Sequence, residues 1–287
     1  MVLQKRSFLI LFLPALIILL CVSVYPFIVS IGNSFRFYNL TNPEVGKPWV
    51  GGENYAWLLT NVRFWHSLKT TFQFVLYGLL IQLVFGYIIA SLLNKLKRGS
   101  VFLPFFLIPM VVTPVVVGLT WRLMYDYTLG IVNYLIGFLS IPSQPWLGAG
   151  RLALFSVVLA DVWQWTPLFA LILYSGMRSL PVEPYEASAI DGASPLQVFI
   201  NISIPLLKPV ILVALLLRTI DGFKWFDTIF IMTEGGPGIA TETVSLYAHL
   251  IAFNFFDMGR GSAIAILMVV IMNILCILYT KLIPEKE

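Results

Sequence analysis

The sequence predicts an all-α polytopic membrane protein, a bundle of about six transmembrane helices, and three observations carry that prediction. Of 287 residues, 59% are hydrophobic and only 11% are charged, whereas soluble domains carry about 45–50% apolar and about 25% charged residues. One globular core cannot hide that much apolar surface, so lipid must solvate part of it. The apolar residues also gather into continuous runs rather than alternating, and a helix satisfies its own backbone in lipid where an open strand does not. Finally, the runs reach the roughly 20 residues needed to cross the hydrocarbon core.

The first span runs approximately from Phe8 to Ile31, behind Lys5 and Arg6. That basic start resembles a secretory signal, but the apolar run is too long and lacks a small-residue cleavage site, so it reads as a retained span. The others run approximately from Thr71 to Leu93, Val101 to Trp121, Leu152 to Met177, Leu206 to Met232 and Ser262 to Ile283, and the whole chain reads as one membrane domain. Pro104, Pro109 and Pro114 each remove a helical hydrogen bond from the third span. They either kink it into a gate or are tolerated for packing.

An even number of spans puts both ends on one side. Lys95, Lys97 and Arg98 crowd the short connector Asn94–Ser100, and Lys5 and Arg6 mark the amino end. The positive-inside rule makes these segments, and hence both termini, cytoplasmic. Connectors from about Gly32 to Thr70, Arg122 to Arg151 and Thr233 to Gly261 then face outward, rich in the Trp, Tyr, Pro and Gly of interface anchors and turns. The reading is a multi-pass membrane protein, with lipid as a partner.

The net charge of +4 comes without a basic stripe suited to nucleic acid. Cys21 and Cys276 lie in apolar runs and have no metal-type spacing. His66 and His249 fall in outward connectors, far apart in sequence. No Gly-x-x-x-x-Gly-Lys-Ser/Thr phosphate loop, His-Glu-x-x-His or Gly-x-Ser-x-Gly occurs, so neither ATP chemistry nor hydrolysis is expected of this chain. Asn39-Leu-Thr41 spells a glycosylation site only by coincidence.

The connector between the fourth and fifth spans, 178–209, is unlike the others. Pro184 suits a first helical turn, Tyr185 to Ile190 can continue it, and Gly192 permits the left-handed conformation that ends a helix. Ser194 can cap a second helix with Pro195 at its first position, and Leu196, Phe199 and Ile200 recur at helical spacing. Pro205 and Pro209 are expected to break the chain into the fifth span. The product is a compact knob with an exposed acid, Glu186, and an apolar face, which a docking element needs and a plain connector does not.

The pattern Glu186-Ala187-Ser188, three residues, Gly192, nine residues, Ile202, one residue, Ile204-Pro205 resembles the EAA loop of binding-protein-dependent ABC importer permeases. Ser188 stands where Ala is usual and Ile204 where Leu is usual. The resemblance extends through Tyr25-Pro26, Trp49–Tyr55, Asp161–Pro167, Glu234–Gly238 and Thr241–Leu246, and is to the carbohydrate-uptake, maltose-type branch with a long first outward loop. It implies that the coupling residues Glu186, Ala187, Ser188, Asp191, Gly192 and Ala193 dock into an ATPase cleft, with Glu186 paired to a basic group there. Asp191 is equally readable as a helix cap. The implied partners are a second homologous permease, two copies of an ATP-binding subunit and an extracytoplasmic solute-binding protein. ATP and Mg would be bound by the ATPase, with no cofactor in this chain, and the solute would be a sugar or polyol.

Ionisable groups inside spans usually face a bundle interior or a watery cavity. In the fifth span Arg218, Asp221, Lys224 and Asp227 alternate in sign at intervals of three, on one helix face. They form either a self-compensating ladder or, with Trp225 and Phe223, part of a solute path; the resembled family lines its path with this span. Asp161, Gln164 and Trp165 in the fourth span make a second patch, for path-lining or for interhelix hydrogen bonds. Gln82 and Asn273 read as glue between helices. Two other classes compete. An ion-coupled secondary transporter or channel would not need the knob and should show inverted repeats of discontinuous helices. An intramembrane enzyme would need a catalytic constellation.

Overall fold

The structure, a computed structural model, describes residues 12–96 and 98–282. Lys5, Arg6, Lys97 and the predicted span ends Phe8 and Ile283 lie outside the described residues. Among the described residues, five helices are long and apolar enough to cross a membrane, or up to six spans if one sharply bent pair counts as a single crossing. Where one domain is predicted, the chain divides into two compact units, Met1–Trp65 with Tyr247–Val270, and His66–Leu246 with Ile271–Glu287.

In the first unit, α1 (Phe12–Ser34) leaves its apolar stretch unburied. Within α1, Leu20–Val24 is a π-helix that ends two residues before Pro26. Proline lacks an N–H and its ring crowds the carbonyl one turn back, and a widened turn relieves both. The connector after α1 is a tied loop. Asn54, on α2 (Glu53–Thr60), donates to the carbonyls of Ser34 and Arg36, both at 2.9 Å, and the Tyr55 hydroxyl donates to Ser34 Oγ at 2.7 Å. Phe35 stacks on Trp49 with ring centres 5.3 Å apart.

The second unit holds α3 from His66 onward, α4 to α10, the start of α11 and the end of α12. Helix α3 (Val62–Lys95) has 34 residues, about 51 Å at the helical rise. It therefore starts well before the predicted boundary at Thr71 and takes up part of the first outward connector. The third span is α4 (Leu103–Val111) followed by α5 (Pro114–Met124), a pair that includes the short turn from Gly99 and is bent by 84°. Val112 and Thr113 are extended there (ψ 131° and 143°), because the ring of Pro114 disfavours helix in the residue before it. Pro109 sits inside α4 without breaking it. After α6 (Ile131–Gly137), α7 (Gly150–Arg178) is the central element of this unit, with 67% of its apolar stretch buried. Gly86 of α3 meets α7 so closely that a Cβ there would collide with Phe169 Cβ, as expected where small residues let membrane helices approach.

Two expectations fail at the fifth span. The prolines do not break the chain into it. Past the knob helix α8 (Glu183–Ile190), one continuous helix α9 runs over Pro195–Lys224. Phe199–Ser203 within it is a π-helix ending two residues before Pro205, the same accommodation seen before Pro26, and Pro209 is tolerated inside. Nor does the span continue to Met232. It ends at Lys224, Trp225 is extended (ψ 120°), and a separate helix α10 (Asp227–Thr233) follows. Gly118 of α5 faces Ile231 and Thr228 of α10, so tertiary packing accompanies this break, which no proline marks and which follows Gly222 in the last turn of α9. Helix α11 (Val244–Asn254) and α12 (Met258–Leu282) complete the chain.

Candidate functional sites: a coupling knob and a buried polar cluster

The knob is built by local rules. Glu183 and Glu186 occupy the first turn of α8, with Pro184 beside them, where acids complement the helix dipole and proline loses nothing. The end of α8 is a Schellman turn: Gly192 N–H donates to Ala189 O at 3.3 Å and Ala193 N–H to Ser188 O at 3.0 Å. Gly192 has φ +69°, the left-handed value this turn requires. The next helix opens with a reciprocal capping box, Gln197 N–H to Ser194 Oγ at 3.4 Å and Ser194 N–H to Gln197 Oε1 at 2.7 Å.

Glu186, Ala187, Asp191 and Gly192 are exposed, Ala193 is half-buried and Ser188 is buried. The Ser188 hydroxyl is used at home, donating to Tyr185 O at 2.8 Å. Asp191 is the C-cap residue of α8 by backbone. Sequence reasoning missed the most prominent apolar group, Ile190, which is 87% exposed. Leu196 and Ile200 are exposed as well, whereas Phe199 turns inward onto Tyr87 with ring centres 4.7 Å apart. A cleft of about 530 Å³ lies between the end of α3 (Ser91, Asn94, Lys95) and the knob (Tyr185, Ala189, Ala193). An exposed carboxylate flanked by exposed aliphatic groups on a rigid turn is a docking surface in chemical terms.

The second site lies between α3, α7 and α9. Asp161 and Arg218 form an ion pair, each with 2% of its side chain exposed. Gln82 donates to the other carboxylate oxygen at 2.7 Å, the interhelix glue expected of it. A void of about 10 Å³ adjoins the three residues, and Gly78 gives the carboxylate room: a Cβ there would stand 3.3 Å from Asp161 Oδ2. The Arg218 guanidinium lies over Trp165 and Trp225, at 5.1 and 5.4 Å from their ring centres, and the two indoles meet edge to face at 5.7 Å. Gln164 donates to Val112 O at 2.9 Å, which satisfies a carbonyl that the bend in the third span leaves outside any helix.

The expected four-charge ladder is therefore not one face. Asp221 and Lys224 pair at 3.2 Å and are 43% and 56% exposed. Arg218 turns instead to α7, and Asp227 lies beyond the break, in the first turn of α10. Asp161 spends its carboxylate on α9 and α3, and Gln164 its amide N–H on the bend of the third span.

Residues 82–286 match the family described as binding-protein-dependent transport system inner membrane component. The chain belongs to that family. It is a multi-pass inner-membrane permease subunit, a transport component rather than an enzyme. Among its relatives, the trehalose/maltose transport system permease protein MalF of Thermococcus litoralis is 39% identical over 277 residues, 94% of this chain and 90% of that protein. The sulfoquinovosyl glycerol transport system permease protein SmoG of Agrobacterium fabrum is 32% identical over 285 residues, 96% of this chain and 89% of that protein. A bacterial ABC transporter involved in import of the acidic polysaccharide alginate has a chain of the same fold (TM-score 0.80, 18% identity), covering 96% of this permease and 95% of that chain.

Proposed function

We propose that this permease forms half of the transmembrane path of an ATP-driven importer for a sugar or polyol, and that the α8 knob couples it to an ATPase. The observation that carries the coupling role is the knob itself: Glu186 and Ile190 stand exposed on a turn made rigid by Gly192 and the Ser194–Gln197 box. Exposed aliphatic groups beside an acid suit a protein cleft, where the acid can be paired while the apolar groups are buried. Glu186 pairs with a basic group of the ATP-binding subunit, of which the complex holds two copies; they bind ATP and Mg, and this chain binds no cofactor. A second homologous permease supplies the other half of the path and a solute-binding protein delivers the solute from outside. The carbohydrate names of the relatives support this solute class. The positive-inside rule places the knob and both termini in the cytoplasm.

For the path, half-exposed charges near the end of a span must meet water or a protein partner rather than lipid. Asp221 and Lys224 therefore face the path, with Trp165 and Trp225 offering flat apolar surface to sugar rings, while Asp161 and Gln164 hold the helices that present them. The ion-coupled alternative has no comparable support. Purified complex, with its binding protein and a panel of sugars and polyols, tests the reading. One solute class should stimulate ATP hydrolysis, and Glu186→Lys should abolish the stimulation. Stimulation indifferent to that substitution would remove the coupling role from the knob.

A further inference from the structure

Arg218 carries more than a charge to neutralise. Its Nη2 bonds Asp161, yet Nε and Nη1 are buried and have no protein partner, and the indole N–H groups of Trp165 and Trp225 are likewise buried and unpartnered. Buried donors are almost always paired, so four unpaired donors on three touching side chains need an explanation. If neutralising a stray charge were the only task, packing the guanidinium against two indoles would serve no purpose, and Lys would do as well. A planar, weakly hydrated guanidinium is instead the group that stacks on aromatic faces. Two glycines line the small void beside the ion pair. Gly78 leaves room beside Asp161 Oδ2, and a Cβ at Gly222 would stand 2.9 Å from Val75.

We propose that Arg218 is a positioning residue for solute recognition: pinned by Asp161, it holds Trp165 and Trp225 in their edge-to-face arrangement and so sets the aromatic surface that the flat faces of a neutral polyhydroxylated solute would meet. Asp161 fixes the guanidinium from α7, Gln82 fixes Asp161 from α3, and the indoles come from α7 and from the first residue past α9. The ring geometry thus depends on the junction of three spans and not on either tryptophan's own helix. The ion pair also leaves the cluster without net charge, which suits an uncharged solute better than an ionic one. The role rests on the proposal that the two tryptophans line the path.

The test is solute-stimulated ATP hydrolysis by the assembled complex, read as separate KM and kcat for the solute. Arg218→Lys keeps the cation and loses the plane. It should raise KM about tenfold, the equivalent of about 1.4 kcal/mol, while kcat is largely retained. The exchanged double variant Asp161→Arg with Arg218→Asp keeps an ion pair between the same helices but moves the cation off α9. A merely structural pair predicts normal KM in the exchanged protein, and that result would overturn the proposal; assembly with KM still raised supports it. Arg218→Lys with unchanged KM would also overturn it. Trp165→Ala and Trp225→Ala separate the two levels. If they raise KM while Arg218→Lys does not, the path reading stands and the positioning role fails. If neither tryptophan matters to KM, the path reading itself fails.

Discussion

Removing the Asp161 carboxylate would leave the Arg218 guanidinium buried with no anion beside it. Asp161→Ala should therefore destabilise the protein by about 3–5 kcal/mol, and replacing both partners by apolar groups of similar volume should recover most of that. Thermal unfolding of the solubilised complex for Asp161→Ala and for Asp161→Leu with Arg218→Met checks this; equal loss in both would contradict the ion-pair account. Gly86→Ala makes a second residue-scale case. Its Cβ would collide with Phe169 Cβ and stand 3.2 Å from Ala170 N, so it should cost about 1–3 kcal/mol by overpacking, seen as a lowered melting temperature. The sequence made the charged residues visible, because an ionisable group in an apolar run stands out at once. It did not make their partners visible. Spacing within one helix suggests only i,i+3 and i,i+4 neighbours, and Arg218 pairs with a residue 57 positions away.

At the scale of elements, legibility follows how local the governing rule is. The knob could be read because Pro184, Gly192, Ser194 and Pro195 each constrain the backbone where they stand. The extended Thr113 before Pro114 belongs to the same class. The continuity of α9 through Pro205 could not be read, because a π-turn that accommodates a proline leaves no residue signature. The break at Trp225 could not be read either, since no proline marks it and packing of α10 on α5 accompanies it. Ser194→Ala, which deletes the capping box, should cost about 1 kcal/mol. Gly192→Val forces a β-branched residue to φ +69°, at about 1–2 kcal/mol. Both should lower solute-stimulated ATP hydrolysis while leaving membrane insertion intact, measured by fractionation beside activity. If stimulation survives both, the rigidity of the turn is irrelevant to coupling.

The connector after α5 adds a pH-dependent element. The backbone N–H of Leu129 and the hydroxyl and N–H of Thr128 donate to the Asp126 carboxylate, and these bonds hold its pKa below the ordinary 3.8. A lowered folded-state pKa means stability that is fully present above the unfolded value and lost as pH falls through the folded one. The turn should hold unchanged from neutral pH down to about 5 and weaken only in strong acid. Asp126→Asn should remove that acid dependence from hydrogen exchange of the Thr128 and Leu129 amides, and an unaltered profile would contradict it.

At the scale of the whole molecule, the proposed function joins a path wall to a coupling handle. The wall would be carried by the long apolar helices, with the third span bent, and the handle by α8 and the start of α9. Because α9 is one helix from Pro195 to Lys224, a push on α8 that passes the Gly192 turn would reach the Arg218 cluster, Asp221 and Lys224 without crossing a further break. That continuity gives the coupling proposal a mechanical basis that a chain broken at Pro205 would not have. The most direct measurement is therefore of what touches the knob. Cys21 and Cys276 are the chain's own cysteines; in a Cys21→Ser, Cys276→Ser background, Glu186→Cys should cross-link to the ATP-binding subunit through a short bis-maleimide in the assembled complex, with a yield that changes on ATP binding. Reaction of that thiol with a membrane-impermeant reagent from the outside, or cross-links to the second permease alone, would contradict the account.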